Sequence, residues 1–264
     1  MRKILDAIAS GELSPAEAEA ELVGYATSEA GRFDAARERR RGVPEAIFGP
    51  GKTPGEVATL TATAVETTGR AIATRIDDAQ RAAIVDRLGD EHPDASVEPH
   101  DRANVIVVHG ETFEPPTIEA TIGIVTGGTA DSMPAGEATV IAREMGARVD
   151  RIDDVGVANL TRLIDQLDRL RAADVLVVAA GREGALPTVV AGLVDTPVIG
   201  LPVSSGYGHG GDGEAALAGM LQSCTVLSVV NVDAGFVAGA QAGLIANRIA
   251  GEPSDRTDHN ETTS

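Results

Sequence analysis

Only one cysteine occurs in the 264 residues, and tryptophan is missing. The lone thiol, Cys224, excludes an intrachain disulfide framework. Aromatic residues make up 2% of the chain, too few for the base-stacking platforms that hold single-stranded nucleic acid. Basic side chains are outnumbered, 22 Lys and Arg against 40 Asp and Glu, for a formal net charge of −18. Such a surface repels phosphate backbones, so nucleic acid is not an expected partner. No run reaches the roughly 18 apolar residues of a membrane span. The opening "MRKILDAIASGELSPAEAE" has no apolar stretch of signal-peptide length. A cytoplasmic protein with no membrane association is expected.

What is present is small and aliphatic. Hydrophobic residues amount to 43%, so the core must be built of Ala, Val, Leu and Ile, as helices packed on Val-rich strands would supply. Ser14-Pro15-Ala16-Glu17 fits a helix-opening capping box with proline at the first helical position. Arg37, Arg39, Arg40 and Arg41 form a basic island, either a solvated helix face or a phosphate clamp. "EAIF" and "AIATRI" read as short strands, "PGEVATLTATAVETTG" and "DDAQRAAIVDRLG" as helices, the second ending at Gly89. Residues 90–103 read as polar turns, and "NVIVVHG" as one more strand.

From Ile118 the rhythm becomes regular. Continuous apolar strands ("TIGIVTGG", "ARVDRID", "DVLVVAAG", "PVIGLPV", "TVLSVVNV") alternate with helices. Leu160, Leu163, Ile164, Leu167 and Leu170 are spaced as the face of one helix. That alternation predicts an α/β protein whose main domain is a three-layer α/β/α parallel sheet of flavodoxin or Rossmann type. The expected layout is a smaller N-terminal α/β domain over 1–116, the main domain over 117–250 and a disordered polar tail over 251–264.

Such sheets bind ligands at the carboxyl ends of their strands. The four loops expected there are Gly127-Gly128-Thr129-Ala130-Asp131-Ser132, Gly181 to Pro187, Ser204 to Gly211, and Asp233-Ala234-Gly235. Glycines let backbone amides approach a phosphate. One such loop is an ordinary tight turn; four on one rim predict a nucleotide site at Gly128, Thr129, Asp131, Ser204, Ser205, Gly206 and Asp233. Asp131 is either an Asx-type cap or a ribose ligand. Glu183 is either a carboxylate at a helix start or a base or metal ligand. His209, among glycines, reads as solvated.

In order, "GGTADSMPAGEA", "GREGALPTVVAGLVDTPVIGLPVSSGYG" and "MLQSCTVLSVVNVDAGFVAGAQA" resemble the PurE-related domain of the LarB family. "RRRGVPEAIFGPGKT" resembles that family's N-terminal region. The resemblance spans roughly residues 30–250 and is looser to PurE itself, the aminoimidazole ribonucleotide carboxylase/mutase. PurE carries a catalytic His directly before the Leu-Pro of the second loop, where this chain has Ala185.

The resemblance implies synthesis of pyridinium-3,5-biscarboxylic acid mononucleotide for the nickel-pincer nucleotide cofactor. Nicotinic acid adenine dinucleotide would be carboxylated at C5 and its phosphoanhydride hydrolysed, releasing AMP. It implies Cys224 as nucleophile, Glu183 as acid/base, Thr129 and Asp131 at the nucleotide, and a PurE-like octamer. Mg²⁺ would assist phosphoanhydride cleavage, with ligands unassigned, because no closed His/Cys cluster is present and the substrate phosphates would supply part of its shell. The rival readings are PurE-type chemistry on an imidazole ribonucleotide and a nucleotide-binding module without turnover.

Overall fold

The computed structural model describes residues 2–11, 15, 18 and 22–251. The capping box at Ser14 to Glu17 and the tail beyond Gly251 lie outside the described residues. The chain divides into two compact units, Met1–Pro115 and Pro116–Ser264.

The first unit opens with α1 (Arg2–Ser10), an antiparallel pair β1 (Ala26–Ser28) and β2 (Gly31–Phe33), and the short α2 (Arg37–Arg41). Then follow β3 (Ile47–Phe48), α3 (Pro54–Thr68), β4 (Arg70–Thr74), α4 (Asp78–Glu91), β5 (Ser96–His100) and β6 (Val105–His109). The last four strands form a mixed sheet in the order β3-β4-β6-β5. Both long helices start on reciprocal caps, Thr53 with Glu56 and Asp77 with Gln80, which satisfy amide groups that a helix start leaves unpaired. α4 continues through Gly89 to Glu91, two residues past the expected stop. β5 lies where polar turns were expected. It is a sheet-edge strand bearing Pro99, and much of it is exposed, so it shows no apolar period and needs none.

The second unit runs β7 (Thr121–Thr126), α5 (Ser132–Glu144), β8 (Arg148–Ile152), α6 (Leu160–Ile164), α7 (Leu167–Ala172) and β9 (Val175–Ala180). It continues through α8 (Ala185–Ala191), β10 (Val198–Pro202), α9 (Glu214–Leu221), β11 (Ser228–Val229) and α10 (Gly235–Ala250). Its five strands are all parallel, in the order β11-β10-β9-β7-β8. This is the flavodoxin-like arrangement, with the switch point between β7 and β9.

Alternate residues of each central strand serve opposite cores. Val175, Val177 and Ala179 join Ile122 and Ile124 under α5 and α10. Leu176 and Val178 join Leu163, Leu170, Leu186 and Met220 on the other face. The three layers are thus those the apolar strands predicted.

Small residues let α5 and α10 meet closely. A Cβ on Gly239 would lie 2.5 Å from the Ala138 carbonyl oxygen, and one on Gly235 2.2 Å from that of Pro134. The Ala/Gly stripe of α10 is therefore used inside the unit, against α5.

Two expectations need correction here. The single helix read from Leu160 to Leu170 is two, α6 and α7, separated at Asp165-Gln166. Leu163 and Leu170 are buried, while Leu160 and Ile164 are half exposed, so the leucine period overstates the buried face. The strand read over Thr225–Val232 pairs only at Ser228 and Val229. It is the sheet edge, and Val226 before it is almost wholly exposed.

Candidate active site

A cavity of about 460 Å³ opens in the second unit. It lies where β7, β8, β9 and β10 end, at the switch point of the sheet. Gly127, Gly128 and Asp131 line it from the first loop, Gly181 to Glu183 from the loop after β9, and Ser205 to Tyr207 from the loop after β10. These loops cross backbone against backbone. A Cβ on Gly206 would lie 2.7 Å from the Arg182 amide nitrogen, and one on Gly156 2.6 Å from the Gly127 carbonyl oxygen. Glycine is what lets the rim close this tightly.

Asp131 is the buried charge of the site, 5% exposed. The Gly128 N–H donates to its Oδ2 at 2.9 Å, and the Ser205 hydroxyl to its Oδ1 at 3.4 Å. Burial lifts the carboxyl above its ordinary value, opposed by N–H groups of Gly128, Gly127 and Gly181 and by the Ser205 hydroxyl. The carboxyl both ties the first loop into its turn and faces the cavity, so the two roles read from the sequence are compatible.

A folded-state value above the unfolded one means that the stabilisation is complete below the unfolded value and is lost as pH rises through the folded one. Urea midpoints of the wild type should therefore fall, relative to Asp131→Asn, as pH rises above the ordinary carboxylate value of about 4. Parallel midpoint curves would remove Asp131 as the source.

The remaining expected residues divide clearly. Gly128, Asp131, Glu183, Ser205 and Gly206 line the cavity. Glu183 is exposed and precedes the first turn of α8, so it does not act as a first-turn carboxylate. Thr129 is exposed beside the cavity rather than in its lining. Ser204 and Asp233 stand behind it. The Ser204 N–H donates to Asp233 Oδ1 at 2.9 Å, and the Asp233 N–H donates to the Pro202 carbonyl at 2.9 Å. They hold the third loop in place.

Cys224 is not brought to the cavity of its own chain. It precedes β11, on the amino-terminal side of the parallel sheet, and is exposed. The next residue, Thr225, donates its hydroxyl to the Thr188 carbonyl of α8 at 3.4 Å. The expectation that the four loops form one site together with Cys224 therefore fails: the thiol lies at the other end of β11, and the Asp233 loop contributes no lining residue.

The sequence reading passed over two lining residues, Arg182 and Tyr207. The Arg182 guanidinium lies 4.4 Å from the Tyr207 ring centroid, and Arg182 holds a positive φ of 53°. A lone aromatic in a glycine-rich loop was the available signal for Tyr207. Gly156 to Ala158, after β8, also line the cavity and carried no signal at all.

Among the described residues no group of three or more His, Cys, Asp and Glu is placed to hold a metal ion. The described residues do not form a protein-built Mg²⁺ site. Among the same residues no helix is long and apolar enough to cross a membrane. In the first unit, Arg37 pairs with Glu45 at 2.8 Å and Arg40 with Asp34 at 2.7 Å. Two guanidiniums of the basic island are thus already engaged by carboxylates.

A flavodoxin-ordered parallel sheet with a glycine-walled cavity at its switch point is a three-layer α/β domain, and its sequence matches a carboxylase family. Residues 121–261 match the AIR carboxylase family, and residues 25–110 match the LarB/PurE-like N-terminal domain. An uncharacterized protein of Methanocaldococcus jannaschii is 37% identical over 257 residues, covering 93% of this chain and 96% of the relative. The chain belongs to the LarB family, with a PurE-related domain and a carboxylase-related function.

Proposed function

We propose that this protein carboxylates the pyridinium ring of nicotinic acid adenine dinucleotide at C5. It also hydrolyses the phosphoanhydride, giving pyridinium-3,5-biscarboxylic acid mononucleotide and AMP. The observation that carries this reading is the cavity itself. Asp131 and Glu183 line it, and Ala185 puts a methyl group where the purine carboxylase keeps its catalytic His. Two carboxylates against one guanidinium, that of Arg182, suit a cationic ring, and the cavity's size lies in the range of small-ligand sites.

The chemistry needs a nucleophile because a pyridinium ring is too electron-poor to attack CO₂. A thiolate adding at C6 moves the ring electrons onto C5, which then bonds to CO₂. A base removes the C5 proton, the electron pair restores the aromatic ring, and the thiolate leaves. Cys adds and departs more readily than any other side chain. In this proposal Cys224 is the nucleophile and Glu183 the base at C5. Asp131 faces the positive ring, while Gly128 and Gly206 give phosphate oxygens close access to backbone amides.

Because Cys224 lies off the cavity of its own chain, the thiol is proposed to serve the cavity of a second copy. That proposal accords with the homo-oligomer, an octamer in PurE, that the resemblance implies. A cytoplasmic location and Mg²⁺ arriving with the substrate phosphates belong to the same proposal.

The test is mass spectrometry of products from nicotinic acid adenine dinucleotide, bicarbonate and Mg²⁺, beside a parallel assay with aminoimidazole ribonucleotide. The expected result is a mononucleotide heavier by one carboxyl group, plus AMP. Turnover of the imidazole substrate alone would replace this reading with PurE-type chemistry. Tight dinucleotide binding without any turnover would leave a binding module.

A further inference from the structure

The chain holds four Phe, two Tyr and no Trp. In the second unit the only aromatic side chains are Phe236 and Tyr207. Phe236 is buried, at 5% exposure, whereas Tyr207 is 78% exposed at the mouth of the cavity. A sequence this sparing of rings has placed one of them on the rim of its ligand cavity with a large open surface.

The ring's neighbours are specific. Arg182 covers part of it, 4.4 Å from guanidinium carbon to ring centroid. Arg182 is held in the left-handed region, at φ 53°, one residue from Gly181. A Cβ on that glycine would lie 3.3 Å from the Gly206 amide nitrogen. The crossing of the two glycine loops therefore brings the two residues' backbones side by side. Arg182 and Tyr207 come from different loops, so sequence proximity does not account for their contact.

A Tyr face that already carries a guanidinium has part of its negative quadrupole neutralised. The ring's remaining surface then favours a neutral, polarizable heterocycle over a second cation. Base–aromatic stacking is a familiar source of such affinity. The substrate of the proposed reaction has one ring of each kind, a neutral adenine and a positive pyridinium. The buried carboxylate Asp131, at 5% exposure, offers the cation its complement, and the exposed Tyr207 offers the purine a face.

We infer that Arg182 and Tyr207 form a stacking clamp for the adenine of the dinucleotide, which orients the pyridinium half toward Asp131. This inference rests on the dinucleotide reading. Tyr207 is a positioning residue here: it fixes which end of the substrate enters and touches neither C5 nor C6.

The test compares AMP, nicotinic acid mononucleotide and the dinucleotide by calorimetry on the full-length wild type, Tyr207→Phe and Tyr207→Ala. Tyr207→Ala should weaken AMP at least about tenfold while leaving nicotinic acid mononucleotide within about twofold. Tyr207→Phe should keep AMP within about threefold, since it retains the ring and loses only the hydroxyl. In the wild type, but not in Tyr207→Ala, the adenine H2 and H8 protons should shift upfield on binding. This ring-current signature is one that a merely structural role of Tyr207 would not give.

Equal weakening of both halves, or unchanged AMP affinity in Tyr207→Ala, would overturn the clamp, as would a wild type that binds no AMP. Carboxylation of the dinucleotide together with Tyr207-independent AMP binding would remove the clamp and leave the proposed reaction standing. Tyr207-dependent AMP binding without carboxylation would do the reverse.

Discussion

Cys224→Ser is expected to abolish carboxylation of nicotinic acid adenine dinucleotide, lowering its rate at least about 10³-fold, while the dinucleotide's dissociation constant stays within about threefold. A free thiol has a pKa near about 8.5, so only a small part of it is thiolate at neutral pH. A bound pyridinium places a positive charge beside the sulfur and favours the anion. In the proposed reaction the substrate would thereby help to activate its nucleophile, with no neighbouring His required. Serine keeps the size of the side chain but forms its anion far less readily and expels poorly as an alkoxide. The exposure of Cys224 removes the packing role that a small buried hydrophobe would have. Phosphoanhydride cleavage uses a different electrophile, so some AMP release should survive the substitution. Product analysis by mass spectrometry at saturating bicarbonate decides the matter. A serine variant that carboxylates near the wild-type rate would end the covalent mechanism for this chain.

The sheet was legible because its strands are buried on both faces. Runs such as Val175–Ala180 are fully covered, and a continuous apolar run bounded by glycine has few other solutions. The rim was legible for a related reason, since close backbone approach leaves only glycine at a position such as Gly206. The places where the reading failed are those where packing makes no demand. β5 is an edge strand with exposed positions and a proline. Leu160 and Ile164 complete a leucine period yet point away from the buried core. The edge strand after Cys224 reads as eight residues and pairs over two, because a β-branched run carries the same local preference whether or not a neighbouring strand receives it.

Chain order also hid where Cys224 would lie. In a parallel sheet, residues just before a strand and residues just after it occupy opposite edges, so the loop around Cys224 and the loop at Asp233 are separated by the strand between them. Family resemblance groups such residues by role and says nothing about which copy supplies each one. Asp233 shows the complementary case: it belongs to the rim loops, yet its side chain accepts the Ser204 N–H instead of lining the cavity.

That separation yields the second large effect. Protein co-expressed from Cys224→Ser and Glu183→Gln genes should recover carboxylation, although each variant alone is near background. Glu183 lines the cavity of its own chain and Cys224 does not. If each working site takes its carboxylate from one copy and its thiol from another, some sites in a mixed oligomer contain neither substitution. Random mixing in equal amounts leaves about a quarter of the sites intact, so activity should rise to about a quarter of the wild-type rate. Two tags purified in series ensure that the assayed particles contain both variants, and the ratio of the two chains is read by intact mass. Sites built within single chains would each carry one of the two lesions, and the mixture would stay at background. That outcome would require Cys224 to reach its own chain's cavity through a rearrangement of the loop between α9 and β11, or else to have no part in the reaction. The single-variant result on Cys224→Ser separates those two cases, because only the first predicts that the serine protein is inactive.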